Sequence, residues 1–424
     1  TFRGIALWYH IYIKVISDRN QAVSAIGRVQ NIHTEKLEKE QLRKKSMLDS
    51  LTNILNAASV KKKIQDILQT DSAAHALFIL DLDNFKDVND ILATLSQEYD
   101  IYGPKRFEKQ GRYSDTDIIR YDKISKIEEV VFDQKSDFPA KEVITPITQS
   151  LFYFTEDEYR ESKVTDKKIL IFMRPCDVNA MEHQNKIYLG NGGYSDLYYQ
   201  RLQEKVKIIL MECTSGWDTC FCVSMQANKT DNYSLAIRHL DNEVLIEVKE
   251  SEFEKCFMEA PKDDFEVSFI EENEVKVTVP EIKDKETLLK LKQHSMWQTF
   301  NSRCISCGAC TIACATCTCF TTTDLIYNEN TSIGERRRTA ASCQVDGFSD
   351  MAGGHAFRPT AGDRMRYKIL HKFHDYKARF NDYHMCVGCG RCTSRCPEYI
   401  SVTANVEKMA TAVAEIEVKG DNHE

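Results

Sequence analysis

The sequence contains no long uncharged apolar run. None of its stretches reaches the roughly 18 to 20 apolar residues that a helix needs to cross a membrane. The nearest candidate, residues 2–16, is interrupted by Arg3, His10 and Lys14, and it lacks the apolar core and small-residue cleavage site of a signal peptide. The chain as given begins with Thr1. We expect the part present to be soluble and to have no membrane partner.

The sequence also lacks an excess of basic residues. The formal net charge of the 424 residues is -8 and 28% of them are charged, which argues against a basic face for nucleic acid. The sequence also has no Gly-x-Gly-x-x-Gly dinucleotide fingerprint and no recognisable nucleophile beside an orienting base. We therefore predict no catalytic residue, no substrate site and no nucleic-acid partner, so that bound cofactors would carry the chemistry.

Cysteine, in contrast, is abundant, with sixteen residues in the chain. Disulfide scaffolds are usually short secreted chains, whereas these cysteines cluster at metal-ligand spacing in a long acidic chain. This usage predicts a reducing, cytoplasmic setting.

Two cysteine runs lie in the last third of the chain. They read Cys304-x2-Cys307-x2-Cys310-x3-Cys314 and Cys386-x2-Cys389-x2-Cys392-x3-Cys396-Pro397. This spacing is typical of bacterial ferredoxins, in which three thiolates of a run bind one 4Fe–4S cube and the fourth binds the other cube. Structural zinc sites usually pair two distant Cys-x2-Cys knuckles instead. We predict cluster 1 on Cys304, Cys307, Cys310 and Cys396, and cluster 2 on Cys386, Cys389, Cys392 and Cys314.

The first run departs from the ferredoxin pattern at its end. Cys314 is followed by Ala315, where the second run has Pro397. Cys317 or Cys319 could therefore compete with Cys314 for its coordination position. Their roles stay open at this point.

An inserted subdomain separates the two runs. It holds Cys343 and His355, which could ligate or tune a cluster, or could be a buried thiol and a hydrogen-bonded histidine. Its basic triplet, residues 336–338, is interpreted as a solvated or partner-facing patch. An amphipathic helix is predicted near residues 363–380, with Met365, Ile369, Leu370, Phe373 and Tyr376 on its apolar face.

The middle of the chain alternates helical patterns with short apolar runs, which predicts a mixed α/β domain. The expected core strands are residues 151–154, 169–173, 208–211 and 243–248. Loops after two of these strands carry Cys176, Cys213, Cys220 and Cys222. Such cysteines can converge as ligands, so the candidates here are a third 4Fe–4S cluster, a zinc site or buried free thiols.

The first ninety residues have a different character. Residues 15–47 are mostly polar and charged, which predicts a helix with a solvated face. Residues 49–56 and 76–90, the second an apolar strand ending in carboxylates, resemble the opening of a GGDEF (diguanylate cyclase) domain, in which Asp81 would bind metal. The Gly-Gly-Asp/Glu-Glu-Phe turn of that family never follows. The resemblance therefore implies a truncated, inactive fragment that ends near Asp90.

From about residue 92 onward the chain resembles the ferredoxin-type 4Fe–4S electron-transfer subunits of anaerobic sulfite reductases and, more distantly, the beta subunits of sulfhydrogenases. The motifs that carry the resemblance are residues 102–107, 111–117, 146–149, 152–157, 174–177, 218–222 and both cysteine runs. It implies an iron–sulfur subunit that passes electrons from an NADH-oxidising flavin subunit to a siroheme subunit that reduces sulfite to sulfide. The alternatives are the electron-transfer subunit of a sulfhydrogenase and, in another class, a redox-regulated GGDEF-type signalling protein.

Three parts are expected along the chain, of overall α+β or mixed α/β class. Residues 1–90 would form a helix and a GGDEF-like fragment, and residues 91–290 a mixed α/β domain. Residues 291–424 would form a helical dicluster ferredoxin-like domain with an inserted subdomain.

Overall fold

The computed structural model of the protein describes residues 9–18, 21–31, 83–240, 243–258, 265–329 and 332–421. The chain divides into two compact units, residues 1–80 and residues 81–424. Each unit is described here by itself.

The described part of the first unit is an antiparallel pair of strands, β1 (Tyr9–Asp18) and β2 (Gln21–Asn31). The predicted helix is therefore wrong over residues 15–18 and 21–31. Ile11, Ile13 and Val15 alternate with other residues along β1, and β-branched side chains favour the extended backbone. The remainder of the predicted helix, the GGDEF-like residues 49–56 and the strand expected before Asp81, with Asp81 itself, lie outside the described residues.

The second unit contains the remaining described elements. Its strands are β3 (Tyr99–Phe107), β4 (Ile118–Lys123), β5 (Thr148–Phe154), β6 (Tyr159–Glu161), β7 (Lys168–Met173), β8 (Val206–Met211), β9 (Leu235–His239), β10 (Val244–Val248), β11 (Phe320–Ile326), β12 (Gly334–Ala340), β13 (Asp350–Met351) and β14 (His355–Ala356). Its α-helices are α1 (Asp83–Leu95), α2 (Pro175–Tyr188), α3 (Leu197–Gln203), α4 (Lys285–Gln293), α5 (Phe300–Arg303), α6 (Ala309–Ile312), α7 (Ala361–Leu370), α8 (Tyr376–Phe380), α9 (Arg391–Ser394) and α10 (Val402–Asp421).

Helix α1 is continuous across the junction expected near Asp90. Its residues Val88, Leu92 and Leu95 are buried, and they belong to the same apolar core as Tyr99 of β3. The residues on both sides of that junction therefore pack into the second unit.

A six-stranded sheet forms the centre of the second unit, in the order β10-β9-β8-β7-β3-β4. The four central strands, β9, β8, β7 and β3, run parallel to one another. The edge strands β10 and β4 pair antiparallel with β9 and β3. Leu170 of β7 packs in one core and Ile171 in another, so this strand is buried on both faces. The mixed α/β class is confirmed, and all four predicted segments form strands. Residues 169–173 and 208–211 are core strands as expected, whereas residues 152–154 and 244–248 are half-buried or exposed.

A second, four-stranded antiparallel sheet has the order β11-β12-β5-β6. Strands β11 and β12 come from the insert between the cysteine runs, and β5 comes from the middle of the chain. Within the basic triplet on β12, Arg336 pairs with Asp324 and Arg337 with Glu335.

Arg338, the third residue of the triplet, is buried. It forms an ion pair of 2.6 Å with Asp196. The interpretation of the triplet as a solvated patch is therefore wrong at Arg338, because a carboxylate compensates the buried charge.

The helical part of the second unit surrounds the cysteine runs. Helix α7 continues through a π-helical turn, His371–Asp375, into α8, and the predicted amphipathic helix is confirmed. Its five predicted apolar residues, Met365, Ile369, Leu370, Phe373 and Tyr376, are all buried. No helix among the described residues is both long and apolar enough to cross a membrane.

Candidate iron–sulfur centre

The two cysteine runs share one backbone conformation. Ser306 and Gly388, each two residues after the first cysteine of its run, have φ values of 58° and 67°. Gly308 and Gly390 have φ values of 78° and 70°, and each precedes a short helix, α6 or α9. The left-handed turns direct backbone amides at sulfur, since the amide of Ser306 donates to Cys304 and that of Gly388 to Cys386. Such hydrogen bonds stabilise thiolate ligands.

The four cysteines predicted for cluster 1 line one cavity: Cys304, Cys307, Cys310 and Cys396. Burial raises the pKa of Cys304, and the neighbouring sulfurs of Cys310, Cys307 and Cys396 raise it further. The backbone amide of Ile400 donates to Cys396 Sγ at 3.3 Å. The structure therefore brings the last cysteine of the second run to the first run, which is the arrangement a shared cube requires.

The cysteines predicted for cluster 2 also lie together. Burial raises the pKa of Cys386, and the neighbouring sulfurs of Cys392, Cys314 and Cys389 raise it as well. Cys392 in turn has Cys310 of the first run among its neighbours. The two sets of thiols are therefore adjacent.

Cys314 has one close competitor. A hydrogen bond with Cys317 lowers the pKa of Cys314 and raises that of Cys317, so the two thiols are in contact. Cys319 instead pairs with Cys343. Of the two competitors considered from the sequence, only Cys317 therefore lies at the coordination position in question.

Three lysines surround these thiols, of which Lys368 and Lys372 are buried and Lys141 is half-buried. Lys141 donates to the carbonyl oxygen of Cys317 at 2.8 Å, Lys368 to that of Cys310 at 2.7 Å, and Lys372 to Thr316 Oγ1 at 2.7 Å. Within the described part of the chain, none of the three has a carboxylate oxygen within 4.0 Å.

Buried ammonium groups are costly unless an anion compensates them. Burial lowers the pKa of Lys372, but the sulfurs of Cys314 and Cys317 raise it more. Four thiolates give an iron–sulfur cube net negative charge, so these lysines fit the group that the cysteines would hold. In the described ranges no three His, Cys, Asp or Glu side chains converge on one ion, whereas the ligands of a cube each bind a different iron.

An ion pair fixes the second run to the central sheet. Arg391, between Gly390 and Cys392, is 1% exposed and donates to both carboxylate oxygens of Asp177, at 2.8 and 2.6 Å. Its Nε also donates to the carbonyl oxygen of Ser136 at 2.9 Å. Sequence reasoning missed this role of Asp177, although the residue lies directly after Cys176 in the Arg174–Asp177 motif.

The loop that contains residues 218–222 packs against the same run. The backbone amide of Phe221 donates to the carbonyl oxygen of Gly388 at 2.8 Å. A Cβ at Gly388 would lie 2.5 Å from the carbonyl of Phe221, and one at Gly390 would overlap the carbonyl of Thr219. Lys135 bridges the two segments, donating to Thr219 Oγ1 at 2.8 Å and to the Cys389 carbonyl oxygen at 2.9 Å. Only glycine, which has no Cβ, permits the carbonyls of Phe221 and Thr219 to lie so close to the second run.

Three of the four cysteines considered for a third centre lie together. Burial raises the pKa of Cys222 to about 12, and the neighbouring sulfurs of Cys220 and Cys213 contribute. The fourth, Cys176, is close to both Cys222 and Cys389. This set therefore lies beside the second run.

The other two candidates in the insert have separate surroundings. Cys343 is 4% exposed, and its sulfur accepts a hydrogen bond from Gln344 Nε2 at 3.6 Å. His355 is exposed on β14, with its ring centroid 4.8 Å from that of Phe357. Cys343 is thus buried, and His355 makes an edge-to-face contact with an aromatic ring at the surface.

Comparisons with known proteins agree with this geometry. Residues 303–400 match the family model of the 4Fe-4S dicluster domain. The chain is 28% identical over 326 residues to sulfhydrogenase 2 subunit beta of Pyrococcus furiosus, covering 73% of this chain and 92% of that protein. No solved structure matches the chain significantly. The chain is an iron–sulfur electron-transfer protein with a dicluster domain.

Proposed function

We propose that the chain is the iron–sulfur subunit of an NADH-dependent anaerobic sulfite reductase. It would receive electrons from a flavin subunit and pass them to a siroheme subunit that reduces sulfite to sulfide, in the cytoplasm. The observation that carries the electron-transfer role is the exchange of the fourth cysteines, since Cys396 lies at the first run and Cys314 at the second. The choice of sulfite rests on the motif resemblance.

The proposed ligands follow the crossed arrangement. Cluster 1 would be held by Cys304, Cys307, Cys310 and Cys396, and cluster 2 by Cys386, Cys389, Cys392 and Cys314. Cys310 and Cys392 lie at the junction of the two sets. A flavin releases electrons in pairs and a cube accepts one, so adjacent cubes would let the flavin discharge in single steps. The chain's own residues position and neutralise the cubes.

A third cluster on Cys176, Cys213, Cys220 and Cys222 would extend this relay. Cys176 and Cys220 are the members that lie nearest the second run, because Cys389 is among the neighbours of Cys176 and the Cys220 thiol donates to the Cys389 carbonyl oxygen at 3.8 Å. The proposed order along the relay is therefore third cluster, cluster 2 and cluster 1.

The relay is tested by Cys307→Ser and Cys389→Ser in the reconstituted complex. We expect each variant to lose NADH-linked sulfite reduction, while a siroheme subunit fed by an artificial dye remains active. Cys256→Ser is the matched control, because Cys256 packs beside the core of the six-stranded sheet, apart from the proposed ligand sets. Retained NADH-linked activity in both ligand variants would contradict the relay.

A sulfhydrogenase role is the second candidate. It is favoured by the relative from Pyrococcus furiosus, which this chain matches over 92% of that protein's length. The partner subunit separates the two roles. A siroheme reductase that copurifies with the chain, or whose gene lies beside it, supports sulfite reduction, and a nickel–iron hydrogenase supports the alternative.

For residues 1–90 we propose a GGDEF-like fragment without cyclase activity. The fragment lacks the turn that would bind the guanine nucleotide opposite Asp81. Incubation of the full chain with GTP and Mg²⁺ is expected to yield no cyclic dinucleotide, and its formation would overturn the proposal.

A further inference from the structure

A second group of cysteines lies outside the proposed cluster ligands. Cys317, Cys319 and Cys343 line a cleft of about 530 Å³ beside the π-helical turn His371–Asp375. None of the three is assigned to a cluster. The cleft is large enough for a small molecule of drug-like size.

Two of these cysteines form a pair at the base of a hairpin. Cys319 directly precedes β11, and Cys343 follows the end of β12. The backbone amide of Ala341 donates to the carbonyl oxygen of Cys319 at 3.0 Å, which holds the two chain segments together. The thiol of Cys319 hydrogen-bonds to the sulfur of Cys343.

The cleft around the pair is cationic. Lys368, Lys372 and Arg379 line it, against one carboxylate, that of Asp375. Burial lowers the pKa of His371 to about 4, so that its ring, which also lines the cleft, is neutral at pH 7. Because the buried ammonium groups of Lys368 and Lys372 donate toward the first cysteine run, exposed Arg379 is the cation that would bind an anionic ligand in the cleft.

We propose that Cys319 and Cys343 are a redox-active dithiol that reacts with a small anionic disulfide bound in this cleft. A thiolate of the pair attacks one sulfur of the ligand, which breaks the ligand's S–S bond, forms a mixed disulfide and releases one thiolate. The second cysteine then loses its proton and attacks the first, which forms the Cys319–Cys343 disulfide and releases the second thiol. The dithiol is oxidised by two electrons and the ligand is reduced by two.

The surroundings of Cys343 suit its role as the first nucleophile. The hydrogen bond from Cys319 lowers the pKa of Cys343 to about 5, and the nearby ammonium of Lys368 contributes to the same shift against the effect of burial. A thiolate, unlike a thiol, attacks disulfides. Lys368 lines both this cleft and the cavity of cluster 1, so the dithiol lies next to the relay without sharing its ligands.

The proposal is tested on the anaerobically purified, cluster-loaded chain with two probe disulfides, anionic oxidised glutathione and cationic cystamine. We expect glutathione disulfide to produce a Cys319–Cys343 cross-link, identified by tandem mass spectrometry after alkylation, with no loss of iron. Cys319→Ser and Cys343→Ser should abolish the cross-link, and Cys256→Ser should leave it unchanged.

The charge of the cleft is tested with Arg379→Gln. We expect this variant to react about fivefold more slowly with glutathione disulfide and no more slowly with cystamine, because the substitution removes one exposed attraction. Lys377→Gln, on the same helix α8 but outside the cleft lining, is the matched control.

Three outcomes would overturn the proposal. Loss of iron in Cys319→Ser or Cys343→Ser would identify these residues as cluster ligands. Absence of the cross-link in the wild-type chain would exclude the dithiol, and this measurement stands even if a serine variant fails to fold. Equal rates with both probes would exclude the anionic ligand. None of these outcomes depends on the partner subunits of the proposed complex.

Discussion

At the scale of single residues, the second run depends on charges supplied from far away in the sequence. Arg391 lies within the run, but its counter-ion Asp177 lies on α2 and its acceptor Ser136 on an earlier loop. Both members of the ion pair are 1% exposed. Removing one partner of such a pair leaves the other charge buried and uncompensated, which costs far more than the pair itself contributes.

We therefore expect Asp177→Asn to destabilise the fold by about 3 to 5 kcal/mol and to lower the iron content of the purified chain. Asp137→Asn is the matched control, because Asp137 pairs with Arg395 of the same run and both side chains are partly exposed. That change should cost less than about 1 kcal/mol. Anaerobic urea unfolding and iron analysis of both variants measure the difference, and equal effects would mean that burial of the pair is unimportant.

At the scale of elements, the backbone conformation of the second cysteine run depends on the loop of residues 218–222 that packs against it. Gly390 has a φ of 70° and lies against the carbonyl of Thr219, so two separate demands fall on one residue. The first is a left-handed backbone, and the second is space for the loop of residues 218–222. The motif in that loop thus has a packing role whether or not its cysteines bind a cluster.

Gly390→Ala and Gly192→Ala separate these two demands. Gly192 has a φ of 90°, and an alanine Cβ there would meet nothing within 4 Å, so its substitution should cost only the backbone strain, about 1 to 2 kcal/mol. Gly390→Ala adds the overlap with Thr219, and we expect it to cost more and to release the iron of cluster 2, about four atoms per chain. Iron analysis and thermal unfolding check both variants. An intact iron content in Gly390→Ala would show that the loop moves aside.

The elements also show where sequence patterns sufficed and where they did not. The strand at residues 169–173 and the helix around Met365 were predictable from their own residues, the strand from a continuous apolar run and the helix from apolar residues at helical spacing. The hairpin β1–β2 was missed because charged and polar residues between Ile13 and Gln30 conceal its alternation. Arg338 was missed because its counter-ion, Asp196, lies 142 residues away in sequence.

At the scale of the whole molecule, the grouping of the cysteines into two adjacent sets was predictable and their surroundings were not. Ferredoxin spacing is local, so Cys304 to Cys314 are recognisable in the sequence. Lys141, by contrast, reaches Cys317 from a turn 176 residues earlier, and no local pattern reports such a contact. The fold brings together sheet loops and helical segments so that lysines from distant parts of the sequence face the proposed clusters.

The number of clusters is the property of the whole chain that the proposed relay most depends on. Cys213, Cys220 and Cys222 come from loops beyond β8, Cys176 from the start of α2, and the set adjoins Cys389 of the second run. A third cube would lengthen the electron path by one step, whereas free thiols there would leave the relay with two.

Three cubes would give about twelve iron and twelve acid-labile sulfide per chain in the anaerobically purified protein, and about eight of each in Cys222→Ser, whereas two cubes would give about eight in both, because each cube holds four. The electron paramagnetic resonance spectrum of the reduced variant should lose the signal of one cluster and keep the signals of the other two. Cys256→Ser controls for the loss of a thiol outside the set. A wild-type chain with about eight iron that Cys222→Ser leaves unchanged would exclude the third cluster and shorten the relay to the two crossed runs.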